Sequence, residues 1–239
     1  MRKSSFSERQ TMAGNPSEQV TSQRLRPYSH KPALRGSSHF YAAWVALGAA
    51  AVLAAMTPPG VARVATSIYG AALTGLFTIS AIYHRPAWPP QTRQWLRRAD
   101  HAAIFVLIAG TATPFCLLAL RGRGGAELLT IAWIGAAAGV LQSLFWVTAP
   151  KWLTASFYVI LGWATTPYLP GLAAATDTLS IALLIGGGIL YTLGAIVYGS
   201  KRPDPWPQVF GYHEVFHLLV IVAALCHFVA IVHVVRISA

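Results

Sequence analysis

The chain has 239 residues, of which 55% are hydrophobic and only 10% are charged, whereas soluble domains carry about 25% charged residues. This composition predicts a multi-pass integral protein of the plasma membrane and excludes a large soluble domain. The net charge of +11 does not indicate nucleic-acid binding, because the basic residues lie in the N-terminal segment and in short loops between apolar stretches.

The first 35 residues form a segment of their own, rich in Ser, Gln, Arg and Pro and poor in apolar residues. This composition predicts a disordered basic cytoplasmic tail over residues 1–35, in contact with an anionic leaflet. The tail has no apolar core of the kind that marks a cleavable signal peptide. Residues 36–239 are then expected to form one transmembrane domain.

Seven apolar segments follow, each close to the ~20 residues that a helix needs to cross a bilayer. They are expected to be helices, because backbone polar groups in lipid must be satisfied within the segment. The sequence thus predicts an all-α protein with seven transmembrane helices. The predicted spans are His39–Met56, Val61–Tyr83, His101–Leu120, Ala126–Thr148, Trp152–Leu172, Leu179–Tyr198 and Tyr212–Val235.

The distribution of Lys and Arg predicts the orientation of these helices. Fourteen of the 18 basic residues lie in the tail and in the loops on its side of the membrane, and four lie on the other side. Because basic residues favour the cytoplasmic side, the N-terminus is expected in the cytoplasm and the C-terminus outside.

The last apolar segment begins with an H-E-x-x-H motif formed by His213, Glu214 and His217. On a helix the two histidines lie one turn apart on one face, about 6 Å along the axis, so both imidazoles can reach one metal ion. His84 ends the second predicted span and Asp100 precedes the third. The predicted topology therefore places all of these polar residues at the same depth, on the cytoplasmic side.

Three of these side chains, His84, His213 and His217, can supply nitrogen ligands to Zn²⁺ and leave a fourth position open. Neither cysteine of the chain lies at that depth. Asp100 is the candidate catalytic residue, either as a general base for water activated by the metal or as a further ligand. Ser80, one turn before His84, is expected to support His84 or the water.

Simpler interpretations of the same residues remain open. Asp100 can cap the third helix, and Ser80 can bond its own helix. His227 and His233 are expected to serve packing or the outer interface, and His39 is placed away from the other histidines.

Two further patterns concern helix shape. Pro114, Pro167 and Pro170 are expected to kink the third and fifth helices, because each removes a helical hydrogen bond. The run of three glycines at 186–188 favours close helix approach.

The motifs resemble those of the haemolysin III family, the bacterial branch of the progestin and adipoQ receptor family. The resemblance lies in S-x-x-x-H at 80–84, D-H-A-A-I-F with I-A-G-T over 100–111, R-P-D-P-W-P at 202–207 and F-G-Y-H-E-V-F-H at 210–217. It covers the chain from about residue 32 to the end. One departure is Ala112, where the family usually has Tyr, and it bears on the shape of the pocket.

The resemblance implies seven helices and a zinc site near the cytoplasmic face. By motif, His84, His213 and His217 would be the ligands, Asp100 would hold the water and Ser80 would support it. Relatives with this constellation are linked to hydrolysis of lipid amides such as ceramides, and the bacterial branch is linked to membrane-lipid homeostasis and cytolysis.

Three functions follow from these observations. The first is a zinc-dependent hydrolase acting on an amide or ester bond of a membrane lipid. The second is an intramembrane metalloprotease with Glu214 as base, although no Asp or Glu follows Glu214 to serve as the usual third ligand. The third is a non-enzymatic membrane-stress, receptor-like or cytolytic protein with a structural zinc. The expected partner is a membrane lipid, and the sequence is compatible with a homo-oligomer.

Overall fold

The computed structural model describes residues 31–146 and 148–238, and within them the chain is helical apart from turns and an isolated bridge between Trp206 and Phe210. This confirms the all-α prediction for the described residues. The α-helices are α1 Ser37–Met56, α2 Val61–His84, α3 Pro90–Pro114, α4 Gly125–Phe145, α5 Lys151–Trp163, α6 Leu169–Ala175, α7 Thr178–Ser200 and α8 Tyr212–Ser238.

Among the described residues, six helices are long and apolar enough to cross a membrane, namely α1, α2, α3 with the turn that continues it, α4, α7 and α8. The exposed side chains support the same class, since Val45 and Met56 of α1 are 71% and 76% exposed on the outside of the bundle. Apolar side chains with this exposure are expected to contact lipid rather than water. The chain is therefore an all-α membrane protein that crosses the bilayer several times.

The fifth predicted span, Trp152–Leu172, is a broken helix in the structure. It consists of α5, a 3₁₀ turn over Thr166–Tyr168, and α6. Pro167 and Pro170 have no N–H group, so the continuous ladder of helical hydrogen bonds cannot pass through them. The Thr166 hydroxyl donates instead to the Trp163 carbonyl at 2.7 Å.

The third helix begins at Pro90, about three turns before the predicted start at His101. Proline is favoured at the first helical position because its fixed φ suits the helix and its missing N–H is not needed there. Asp100 consequently lies inside α3, which excludes the interpretation of Asp100 as the N-cap of this helix.

The disturbance expected at Pro114 takes the form of a change in helical type. α3 ends at Pro114 and passes directly into a π-helical turn over Phe115–Ala119. Within this turn the Leu120 N–H donates to the Phe115 carbonyl at 2.9 Å. A π-helical turn of this kind allows the helix to continue past an irregular position. Ala112 lies just before the turn and is buried.

Small residues bring the helices close together. A Cβ atom on Gly110 of α3 would lie 2.7 Å from the Cβ of Ala72 on α2. A Cβ atom on Gly187 of α7 would lie 2.4 Å from the ring of His227 on α8. Both distances are too short for a side chain, and the second one confirms the predicted close approach at Gly187 of the glycine run.

The segment before α1 is attached to the loop before α8. Residues 1–30 of the predicted tail lie outside the described residues, but the Ala33 N–H donates to the Gln208 carbonyl at 2.9 Å and the Leu34 N–H to the Val209 carbonyl at 3.1 Å. Gly36 then takes a left-handed conformation, with φ of 78°, and α1 begins. The start of α1 is thereby held beside the start of α8.

Candidate metal centre

Three histidines converge where α2 ends and α8 begins. One ring nitrogen from each of His84, His213 and His217 can be chosen so that all three lie within 4.8 Å of one another. The His84 side chain is 10% exposed, and His213 and His217 are 9% and 1% exposed. The structure therefore brings together the three ligands expected from the sequence, in a largely water-excluded position.

The spacing of these nitrogens fits a metal ion. The Nε2 atoms of His84 and His213 are 3.2 Å apart. Two ligands about 2.0–2.1 Å from a tetrahedral zinc ion stand about 3.3 Å from each other. Imidazole nitrogens suit zinc, copper, iron and nickel. The donor set therefore suits a transition-metal ion.

Asp100 and Ser80 also reach this cluster. An oxygen of the Asp100 carboxylate, Oδ2, lies 3.7 Å from His84 Nε2, the same nitrogen that faces His213. Ser80 lies one turn before His84 on α2, is 2% exposed, and approaches the Asp100 carboxyl closely enough to interact by hydrogen bonding. Their position agrees with the sequence analysis, and their chemical roles stay predictions.

Glu214, the acid of the H-E-x-x-H motif, is engaged elsewhere. Its Oε1 accepts a hydrogen bond from Arg35 Nε in an ion pair, and its Oε2 accepts one from the Gly211 N–H at 2.9 Å. Glu214 is the third residue of α8, where a carboxylate caps the preceding N–H and interacts favourably with the helix dipole. Asp204 adds a second cap, because its Oδ1 accepts from the Tyr212 N–H at 2.8 Å.

The sequence analysis missed His39, and its placement away from the other histidines was wrong. The His39 ring stacks on the His217 ring, with centroids 3.8 Å apart and planes 7° from parallel. His39 is 3% exposed. The predicted topology could have indicated this contact, because it puts the start of the first span on the same side of the membrane as His84 and His213.

The remaining histidines of α8 have separate partners. The His227 ring hydrogen-bonds through Nε2 to the Leu184 carbonyl at 3.1 Å, and His233 Nδ1 donates to Asp177 Oδ2 at 2.9 Å. The bond from His233, followed by that from the Ser180 N–H, lowers the pKa of the Asp177 carboxyl from 3.8 to about 2. Neither histidine belongs to the group of three.

A bundle of apolar helices with three buried histidines and an aspartate at one end defines a multi-pass membrane protein with a histidine cluster that could hold a metal ion. The sequence profile described as Haemolysin-III related matches residues 28–228. The chain therefore belongs to the haemolysin III family, as the motifs indicated.

Individual relatives extend this assignment to the wider progestin and adipoQ receptor family. Hemolysin-3 from Bacillus cereus is 34% identical over 160 residues, which cover 67% of this chain and 70% of the relative. The human Monocyte to macrophage differentiation factor is 24% identical over 217 residues, which cover 87% and 86%. Heptahelical transmembrane protein ADIPOR2 from Oryza sativa subsp. japonica is 30% identical over 148 residues, which cover 55% and 64%.

Proposed function

We propose that this protein is a zinc-dependent hydrolase that cleaves an amide or ester bond of a membrane lipid. The observation that carries the proposal is the position of Asp100, whose carboxylate lies 3.7 Å from the ring nitrogen of His84 that also faces His213. A carboxylate beside a three-histidine centre is the arrangement that hydrolytic chemistry needs. A zinc ion held there would polarise a carbonyl group and make water nucleophilic near neutral pH.

Each residue of the centre has a distinct task in this proposal. His84, His213 and His217 hold the metal. Asp100 orients the attacking water and accepts its proton as general base. Ser80 interacts with the Asp100 carboxyl and keeps it aimed at the open side of the centre.

The surroundings of the centre favour a lipid substrate. The rings of Tyr198 and Phe216 have their centroids 5.8 Å from that of His213. Together with the burial of the histidines, these rings provide an apolar site in which a substrate carbonyl is shielded from bulk water.

We place the centre at the cytoplasmic face of the plasma membrane, with the N-terminus inside, the C-terminus outside and the substrate drawn from the inner leaflet. The excess of basic residues on the side of the tail supports this orientation. The broken segment α5–α6 would complete a set of seven spans. The name of the Oryza relative, Heptahelical transmembrane protein ADIPOR2, supports the same number.

A structural zinc in a non-enzymatic protein is the second candidate. It is favoured by the burial of the centre and by its ligands, which come from two helices distant in sequence and would tie α2 to α8. The name Hemolysin-3 of the Bacillus cereus relative supports a cytolytic role of this kind. The metalloprotease alternative is disfavoured, because both oxygens of Glu214 are occupied by Arg35 and Gly211.

Metal content and lipid-amide turnover of the purified protein test the proposal together. We expect a single zinc ion per wild-type chain, and no zinc in a His213→Ala/His217→Ala variant. Asp100→Asn should keep its zinc and fold while turnover falls at least ~100-fold, because proton transfer typically contributes 10²–10⁴-fold. Asp177→Asn, a carboxylate outside the centre, is the matched control and should retain turnover.

Two results would count against the hydrolase. A folded wild type that contains no metal and does not rebind zinc would remove the metal centre altogether. Full turnover in Asp100→Asn would remove Asp100 from the chemistry. If zinc is bound and its loss lowers only thermal stability, the structural alternative is favoured instead.

A further inference from the structure

The start of α1 contacts the histidine centre at three separate points. Arg35 pairs with Glu214, the backbone of Gly36 lies against His84, and His39 stacks on His217. We refer to Arg35, Gly36 and His39 as the α1 clamp. We propose that the α1 clamp positions the three metal ligands, so that α1 controls metal affinity without supplying a ligand.

The first contact orients the start of α8. Glu214 is the neighbour of His213 in the chain, and its side chain is 3% exposed. The paired Arg35 side chain is 20% exposed, so the ion pair is shielded from most of the solvent. Because Glu214 also accepts from the Gly211 N–H, the pair fixes the first turn of α8 and with it the direction of the His213 side chain.

The second contact fixes the base of the His84 side chain. A Cβ atom on Gly36 would lie 2.7 Å from His84 Cβ, so only glycine allows this approach. Gly36 also has a left-handed φ of 78°, which other residues adopt with strain. The backbone before α1 thus packs directly against the last turn of α2.

The third contact holds the plane of the His217 ring. Metal-binding histidines are usually oriented by a hydrogen bond to the ring nitrogen that does not bind the metal. His217 Nδ1 is buried and has no hydrogen-bond partner within the described part of the chain. The nearly parallel His39 ring lies 3.8 Å away, and Phe77 packs edge-on against His39 at 5.0 Å. The orientation of the His217 ring is therefore fixed by stacking rather than by a hydrogen bond to Nδ1.

These contacts together give the α1 clamp a role that is distinct from general packing. Gly36 and His39 contact the ligands His84 and His217 directly, and Arg35 acts on the ligand His213 through its chain neighbour Glu214. The inference rests on the proposed metal centre, but it concerns the affinity and geometry of that centre rather than the reaction. Loss of partners of this kind typically weakens metal binding 10–100-fold.

Titration of the full chain in detergent with Co²⁺, followed by visible absorption, tests the inference without any turnover assay. We expect His39→Leu and Arg35→Gln to weaken Co²⁺ binding about 10–100-fold and to shift the absorption bands, because the ligands lose their orientation. His39→Phe keeps a stacking ring and Arg35→Lys keeps the charge, so both should retain most of the affinity. His227→Leu, at a buried histidine outside the centre, is the control and should leave the spectrum unchanged.

The outcomes separate the two proposals. If the wild type binds neither Co²⁺ nor Zn²⁺, both the proposed metal centre and the proposed role of the α1 clamp are refuted. If the wild type binds Co²⁺ and His39→Leu and Arg35→Gln match its affinity and spectrum, only the clamp is overturned. If His39→Phe is as impaired as His39→Leu, a ring nitrogen rather than stacking is required. Should His39→Leu fail to fold, the comparison of Arg35→Gln with Arg35→Lys carries the test.

Discussion

Replacement of Glu214 by glutamine distinguishes a structural acid from a catalytic base. In the structure this carboxylate pairs with Arg35 and accepts from the Gly211 N–H. Glutamine has nearly the same shape and can still accept from Gly211, but it cannot form the ion pair. We therefore expect Glu214→Gln to lower the stability of the fold and, because the contact with Arg35 is lost, to weaken metal binding. Turnover per folded, metal-loaded molecule should fall far less than in Asp100→Asn.

The size of the effect follows from the burial of the pair. Breaking a buried ion pair by removing one partner costs about 3–5 kcal/mol, whereas an exposed pair contributes only about 0–1 kcal/mol. Because the side chains of Glu214 and Arg35 are 3% and 20% exposed, the pair resembles a buried pair more than an exposed one. We therefore expect the free energy of unfolding to fall by about 2–4 kcal/mol. Weakening the charged hydrogen bond from Gly211 adds about 1 kcal/mol.

Glu127 supplies the matched control. It is the third residue of α4, as Glu214 is of α8, but its side chain is exposed. Glu127→Gln should lose the interaction with the helix dipole, about 0.3–1 kcal/mol, and weaken the exposed contact with the Tyr168 hydroxyl, but it breaks no buried ion pair. Unfolding of both variants in detergent, followed by circular dichroism against denaturant, measures the difference. Equal stability of the two variants, together with abolished turnover in Glu214→Gln, would refute this reasoning and favour Glu214 as the base of a metalloprotease.

Three further predictions concern the metal, the packing of the helices and the N-cap of α7. Chelation of the metal should lower the thermal midpoint of the wild type. Zinc at about 100 times its Kd should then raise the free energy of unfolding by about 2.7 kcal/mol, which is measured by thermal unfolding at increasing zinc concentrations. Gly187→Ala should destabilise the fold by about 1–3 kcal/mol, because its Cβ would lie 2.4 Å from the His227 ring; unchanged denaturant unfolding would contradict this. The pKa of Asp177 is lowered to about 2 by the bond from His233, so its stabilisation is complete above the unfolded pKa of about 3.9 and is lost as the pH falls through about 2. The thermal midpoint of Asp177→Asn should therefore lie below that of the wild type at neutral pH and approach it as the pH falls from about 4 to 2.

Most of the candidate centre could be predicted from the sequence because its parts follow from two simple rules. The spacing of His213 and His217 places both on one helical face. The alternation of apolar segments and basic loops puts the end of the second span beside the starts of the third and seventh. His84 and Asp100 were expected near the pair for this reason, and the structure places His84 Nε2 3.2 Å from His213 Nε2 and 3.7 Å from Asp100 Oδ2.

The structure bears on two alternatives that the sequence leaves open. Asp100 follows two arginines and could cap a helix, but α3 starts at Pro90, so Asp100 lies in its interior. Glu214 of the H-E-x-x-H motif could serve as a base, but one of its oxygens accepts from the Gly211 N–H and the other pairs with Arg35. The placement of His39 away from the other histidines was wrong, because its ring stacks on His217.

Hydrophobicity, helical period and charge distribution along the chain are enough to predict the class of protein, the helical segments and the end of the bundle at which the polar residues gather. The contacts that α1 makes with this cluster are visible only in the tertiary structure. The stack of His39 on His217 and the pair of Arg35 with Glu214 join residues that are far apart in sequence. No local pattern encodes such contacts, because they depend on how α1 packs beside α2 and α8 in three dimensions.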